Sequence, residues 1–204
     1  MVKKWFWGLG LMIGLTCSLT GCGRFRETHP ARTATEQALI SSSADRAITS
    51  MPLEFAEGRN VHIDASLLDA YDKPYVVARF RKALLDAGAR IVTEAGASDM
   101  TLEISSGALS TTQREFLIGI PEIPIPVPAA ETFVLPELAL FKVVYNRGRA
   151  KLLVNAIDTE TGAQTAHVDT ALGRSFNHKI WVFFTGPHGW GNIWDEPEAE
   201  TEEE

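Results

Sequence analysis

Apolar and polar positions follow two different rhythms along this chain. From Thr33 to Met51 the rhythm is helical. Leu39, Ser43, Ala47 and Met51 fall on one line, with Ile40 and Ile48 beside it. Thr33-Ala34-Thr35-Glu36 has capping-box spacing, with Thr33 as N-cap and Glu36 reaching back, and Pro52 ends the pattern. A second helix is predicted after Asp72, which can cap it, with Pro74 in its first turn. Val77, Phe80, Leu84 and Ala87 form its apolar stripe, Arg79, Arg81, Lys82 and Asp86 lie off it, and Gly88 stops it.

Elsewhere the period is two. Asn60 to Asp64 and Arg90 to Glu94 read as short strands. Met100, Leu102 and Ile104 alternate with Thr101, Glu103 and Ser105, and the ladder can run on through Ser110 and Phe116. Glu137 to Tyr145 is a predicted strand, followed by Asn146-Arg147-Gly148 as a hairpin turn. Ala150 to Asp158, a turn over Thr159 to Gly162, Ala163 to Leu172 and a last strand at Lys179 to Phe184 complete a meander. Early helices and this meander predict an α+β fold: an antiparallel or mixed sheet with two helices packed on one face.

The first residues stand apart from that body. Lys3 and Lys4 precede an apolar run from Trp5 to Leu15, then small or polar residues. This is the layout of a secretory signal peptide, too short for the roughly 20 apolar residues of a comfortable membrane span. Leu19-Thr20-Gly21-Cys22 follows directly and resembles the bacterial lipobox. The resemblance implies cleavage before Cys22, a diacylglycerol on its sulfur and an acyl group on its new amine. Several chains on one residue make attachment effectively permanent, where a single myristoyl chain is marginal at about 0.8 kcal/mol per buried CH₂. Gly23 rather than Asp follows the lipidated position. By resemblance to sorted Gram-negative lipoproteins, that implies the periplasmic face of the outer membrane.

Domain boundaries follow. Residues 1–21 are the expected signal peptide, 22–32 a polar lipidated tether, 33–194 one envelope domain and 195–204 an acidic disordered tail. Ten extended tether residues reach at most about 35 Å, which keeps the domain near the membrane surface. Cys17 leaves with the leader and Cys22 is taken by lipid, so no thiol, disulfide or Cys metal site remains. The chain has formal net charge −7, and seven of its acids lie in the last ten residues. The stretch between leader and tail is therefore close to neutral, which argues against a nucleic-acid footprint.

The order of elements, with "LLDAGARIV" ending one helix, then "ASDMTLEI" and a strand ending "IDTETG", is similar to small α/β domains of envelope lipoproteins. Those are the curli-secretion channel family, the penicillin-binding-protein activator lipoproteins and the N-terminal domain of the TolB family. A family of uncharacterised bacterial lipoproteins resembles this chain more closely. It shares the lipobox, the Thr35-Glu36-Gln37 helix start, Gly119-Ile120-Pro121-Glu122-Ile123-Pro124-Ile125-Pro126 and Pro136 to Lys142. The chain departs from the curli channel between Phe116 and Phe141, where prolines 121, 124, 126, 128 and 136 interrupt any pair of membrane-spanning hairpins.

Motifs for chemistry are missing. There is no glycine-rich phosphate loop, no H-E-x-x-H and no G-x-S-x-G. None of His29, His62, His167, His178 and His188 forms a ligand-spaced pair with His or Cys. A triad such as His178, Asp169 and Ser175 would have to assemble from residue types common on any surface. The expectation is a non-enzyme without cofactor or metal, binding an envelope protein or a second copy of itself. A ring-forming subunit of an export or polysaccharide-secretion assembly is the alternative, and an envelope hydrolase a third.

Two stretches supply candidate partner surfaces. In Ile123-Pro124-Ile125-Pro126-Val127-Pro128 the prolines recur at every second position. As a strand, the segment loses every N–H on one edge at Pro124, Pro126 and Pro128 and keeps those of Ile123, Ile125 and Val127 on the other. A blocked edge strand, a polyproline extension and a stiff loop are the open readings. After the last predicted strand, Trp190, Ile193 and Trp194 sit among glycines. They either fold back on the core or form an exposed aromatic patch, the arrangement favoured at interfaces.

Overall fold

The capping box starts the first helix. The Glu36 amide donates to Thr33 Oγ1 at 3.2 Å, and the Thr33 amide donates to the Glu36 carboxylate at 2.7 Å. Helix α1 then runs Ala34–Thr49 and buries Leu39, Ile40, Ala44, Ala47 and Ile48. The structure, a computed structural model, describes residues 32–125, 133–183 and 185–194, with the side chains of 167–169 also outside it. The signal peptide, the lipobox with Cys22, most of the tether and the acidic tail lie outside the described residues.

Helix α2, Lys73–Asp86, has Pro74 in its first turn and buries Val76, Phe80 and Leu84. The Asp72 side chain makes no cap hydrogen bond, contrary to expectation. Its carboxylate takes the Arg32 guanidinium at 2.6 Å instead, a charged partner preferred to a backbone amide.

The described residues form eight strands: β1 Asn60–Asp64, β2 Arg90–Val92, β3 Met100–Ile120, β4 Ile123–Ile125, β5 Phe133–Leu135, β6 Leu138–Asp158, β7 Gln164–Val182 and β8 Thr185–Gly191. Six form one sheet in the order β2-β1-β3-β6-β7-β8, and β4 pairs with β5 in a small second sheet. β1 is parallel to β2 and β3, while the β3–β6, β6–β7 and β7–β8 pairs are antiparallel. The fold is therefore α+β, with a mixed sheet and two helices. Both helices share one core with the sheet, through Val61, Leu102, Ile104, Leu152, Val154 and Ala156. Each large side chain fully buried there contributes about 1.5–3 kcal/mol.

The sheet corrects the predicted meander. Asn146-Arg147-Gly148 is no turn; it lies in the middle of β6, so the strands expected at 137–145 and 150–158 are one. The strands expected at 163–172 and 179–184 are likewise one, β7, which ends at Val182. The last strand is β8, in the glycine- and tryptophan-rich stretch. The physical reason lies in the helix above. A Cβ at Gly148 would overlap the Leu39 carbonyl, and one at Gly173 would overlap the Ser43 carbonyl. These glycines are sites where α1 lies directly on the sheet backbone, not turn residues.

The long strands outrun the helices. The core cluster reaches no further than Leu109 on β3, Ala150 on β6 and Ala171 on β7. From Leu109 to Ile120, β3 extends for about 36 Å more at ~3.3 Å per residue. The described residues belong to one compact unit, and this ribbon projects from its helix-covered part.

Candidate functional site

Alternation along the projecting strands sorts side chains onto two faces. On the face away from the helices, β3 places Phe116 and Ile118, which register with Val143 and Phe141 on β6, and those with Ile180 and Val182 on β7. Phe116 and Phe141 meet edge-to-face at 6.4 Å. Yet Phe116 is 56% exposed and Ile118 51%. Ile120, Leu138 and Leu140 at the end of the ribbon are exposed too, as are Ile123, Ile125, Phe133 and Val134 of the small hairpin beyond it. Single exposed apolar residues are ordinary, but a contiguous run of this kind marks an interaction surface.

The opposite face of the ribbon is polar and internally paired. Lys142 bridges Glu115 at 3.0 Å and Glu137 at 2.8 Å, and its ammonium lies 5.6 Å from the Trp181 ring centroid. Burial pulls the Lys142 pKa down, but its hydrogen bonds to the Glu137 and Glu115 carboxylates outweigh it and leave the ammonium more firmly protonated than usual. The pairing fixes the register of β3 on β6 where no helix supports it.

Edges matter as much as faces. β1 pairs with β3 only from Met100 to Glu103. From Ile104 to Ile120 no strand covers that edge of β3 among the described residues. A long free edge with apolar neighbours is a template for another strand.

Lower on the outer face lies an aromatic cluster. His178 stands 5.0 Å from Tyr145, 5.0 Å from Phe176 and 5.6 Å from Trp190, centroid to centroid. Burial and then the nearby Arg147 hold the His178 pKa below its usual value, which favours the uncharged ring. Beneath it a concavity of about 440 Å³ is lined by Arg147, Arg149, Arg174, Ser175, Phe176, His178 and Trp190, among others. A neighbouring one of about 280 Å³ is lined by Thr112, Arg114, Tyr145, Arg147 and Arg149.

Ile123, Pro124 and Ile125 form β4, each exposed, with Pro124 opposite Val134 of β5. Pro126, Val127 and Pro128 lie outside the described residues, as do Leu19, Thr20, Gly21 and Cys22. Trp190 lies on β8 and is exposed; Trp194 beyond it is 81% exposed. Only Ile193 of that trio folds back, onto Ala38 and Leu39. The two suspected surfaces do not meet. Trp190 registers with His178, His178 with Tyr145 and Tyr145 with Arg114, well below β4 on the ribbon. Ser175 donates to the Leu39 carbonyl at 2.6 Å, a helix-to-sheet bond that leaves its hydroxyl no part in a triad with His178. Arg114, Arg147, Arg149 and Arg174 escaped the sequence reading. Arg147, Arg149 and Lys151 at alternating positions were the available signal, hidden by placing a turn at residues 146–148.

Among the described residues no group of three or more His, Cys, Asp and Glu could hold a metal ion. Among them, too, no helix is long and apolar enough to cross a membrane. A family-level match covers residues 16–200, and its description is a family of unknown function, DUF6655. The chain belongs to that family. The match takes in the ribbon, the aromatic cluster and the arginines, so the features above fall within it. No curated protein and no solved structure matches the chain.

Proposed function

We propose that this member of DUF6655 is a lipid-anchored envelope protein that works by binding rather than by catalysis. Cys22 carries the acyl anchor, and the domain stands at the periplasmic face of the outer membrane. The projecting ribbon docks another envelope protein or a second copy, which adds a strand to the free edge of β3. One observation carries this reading: the ribbon leaves an unpaired β3 edge from Ile104 to Ile120 and, at its far end, an exposed apolar surface at Phe116, Ile118 and Ile120. Natural proteins cover or blunt such edges unless they use them. The proline-bearing β4 fits the same logic, since Pro124 removes a donor just beyond the free edge and limits how far pairing can run.

The anchor is tested by labelled palmitate. Wild-type protein takes up label and stays in the membrane fraction after a high-salt wash. A Cys22→Ala chain that is still labelled overturns the anchor.

A second reading, a ring-forming subunit of an export assembly, draws on the ribbon's length. Phe116 to Ile120 of β3 and, after Pro121 and Glu122, Ile123 to Ile125 of β4 together approach the roughly 9–11 residues that a membrane-crossing strand needs. Lone hairpins cannot enter lipid with free edges, so this reading requires closure by neighbouring copies. The mass of the detergent-extracted protein separates the two: a clean monomer rules out the ring.

A further inference from the structure

We infer that the outer sheet face at the foot of the ribbon binds headgroup phosphates of an anionic lipid surface, with the apolar outer face above it lying along the headgroup–acyl boundary rather than crossing it.

The first observation is charge. Arg114, Arg147, Arg149 and Arg174 are exposed on three adjacent strands, and among the described residues none of them forms an ion pair. Register puts Arg149 directly opposite Arg174, and Arg147 on the same face two residues along. Like charges directly opposite on a sheet are destabilising. The sheet tolerates this crowding in a chain whose formal net charge is −7, where neutralising carboxylates are plentiful. The carboxylate that β3 contributes to this face, Glu103, lies about 20 Å from Arg149 and farther from Arg114 at ~3.3 Å per residue, and accepts from Asn155. Among the described side chains this face gathers guanidinium groups with no carboxylate paired to them, which suits it to anions brought from elsewhere. Guanidinium forks match phosphate oxygens in a bidentate way.

The second observation is order along the strands. Going down from the tip, the outer face is apolar at Ile118 and Phe116, then carries Tyr145, His178 and Trp190 level with Arg114, then Arg147, Arg149 and Arg174. Aromatic side chains are favoured at the level of lipid headgroups, with the apolar part beyond them. Arg114 is only two residues from Phe116, about 7 Å at ~3.3 Å per residue, so one lipid can contact both zones. A soluble anion would use the concavities under Arg147 and Arg149, but it gives no use for the exposed apolar band directly above. This inference concerns the face of the ribbon and stands whether or not a protein strand occupies its edge.

The test uses a chain starting at Gly23, which keeps every described residue and lacks both leader and lipid. It is sedimented with vesicles of phosphatidylcholine alone, or of phosphatidylcholine mixed with phosphatidylglycerol. It should partition onto the anionic vesicles, be released by salt, and bind the neutral ones weakly. Replacing two arginines, Arg149→Gln with Arg174→Gln, should lower anionic-vesicle partitioning about 30-fold, at ~1 kcal/mol per cation near the surface. The same variant should melt no lower than the parent, because it relieves a like-charge pair, so lost binding cannot be put down to misfolding. Equal binding to both vesicle types, no binding to either, or unchanged binding of the double variant overturns the proposal. So does tight binding of inorganic phosphate in free solution that abolishes vesicle partitioning, since it would assign the arginines to a soluble anion.

Discussion

Replacing Gly173 by alanine should unseat the first helix. Gly173 sits in β7 opposite Ala150, under helix α1. An added Cβ would overlap the Ser43 carbonyl oxygen and stand 2.7 Å from the Ala47 amide nitrogen. Both are backbone atoms of a helix whose Ser43 and Ala47 are wholly buried. No flexible side chain can swing aside, so either the helix lifts or the strand bends. Overpacking of this kind costs typically about 1–3 kcal/mol, and a clash with backbone on both partners belongs in the upper part of that range. At roughly 2–4 °C per kcal/mol for a domain of this size, Gly173→Ala should lower Tm by about 5–10 °C. Gly96→Ala is the control, because a Cβ there meets nothing within 4 Å. Thermal melts followed by far-ultraviolet circular dichroism check the difference. If Gly173→Ala melts with Gly96→Ala and the wild type, then α1 does not lie on the sheet backbone there, and the explanation for the unbroken β7 fails with it.

Other consequences are smaller. Thr33→Ala removes the oxygen that accepts from the Glu36 amide and should cost about 1 kcal/mol, a Tm drop of roughly 2–4 °C by calorimetry. Tyr75→Phe removes the 2.8 Å hydrogen bond to Asp45, a carboxylate that also holds Arg79 at 3.1 Å, and should cost about 1 kcal/mol. Burial and then Asp45 push the Tyr75 pKa up to about 12. Its contribution is therefore complete below the ordinary value of 10.0 and is lost as pH rises through about 12, and an alkaline absorbance titration should show that step in wild type and not in the variant. Asp158 accepts from the Thr161 amide and hydroxyl, both at 2.8 Å, which lowers its pKa. Its contribution is present above the ordinary aspartate value of 3.8 and is lost as pH falls through the folded value, so Asp158→Asn should flatten the acid side of the Tm–pH profile.

Both helices were legible because their signals are local. Thr33 and Glu36 cap one, Pro74 and Gly88 bracket the other, and the buried residues recur at helical spacing. Met100, Leu102 and Ile104 marked one buried sheet face equally well. The length of the strands was not legible, because the residues that looked like turns act through space. Gly148 and Gly173 accommodate a helix that is distant in sequence, and no short window around Asn146-Arg147-Gly148 contains that helix. The same misplaced turn hid the arginine face, since Arg147 and Arg149 share a face only if the strand runs straight through them. Of the aromatic stretch, Ile193 took the packing role while Trp190 and Trp194 stayed exposed, a division decided by where α1 lies. Of the proline stretch, Ile123, Pro124 and Ile125 form a strand paired with β5, one of the three readings its sequence left open, while Pro126, Val127 and Pro128 lie outside the described residues.

The central claim is that the projecting ribbon, not the helical side, is the docking surface. Photoreactive residues at Thr111 and Gln113 on β3, and at the exposed Tyr71 and Leu85 on the helical side, test it in living cells with Cys22 intact. The account predicts a discrete protein adduct of high mass from both ribbon positions and none from Tyr71 or Leu85. Adducts of the same kind from the helical positions, or none from the ribbon, would contradict it.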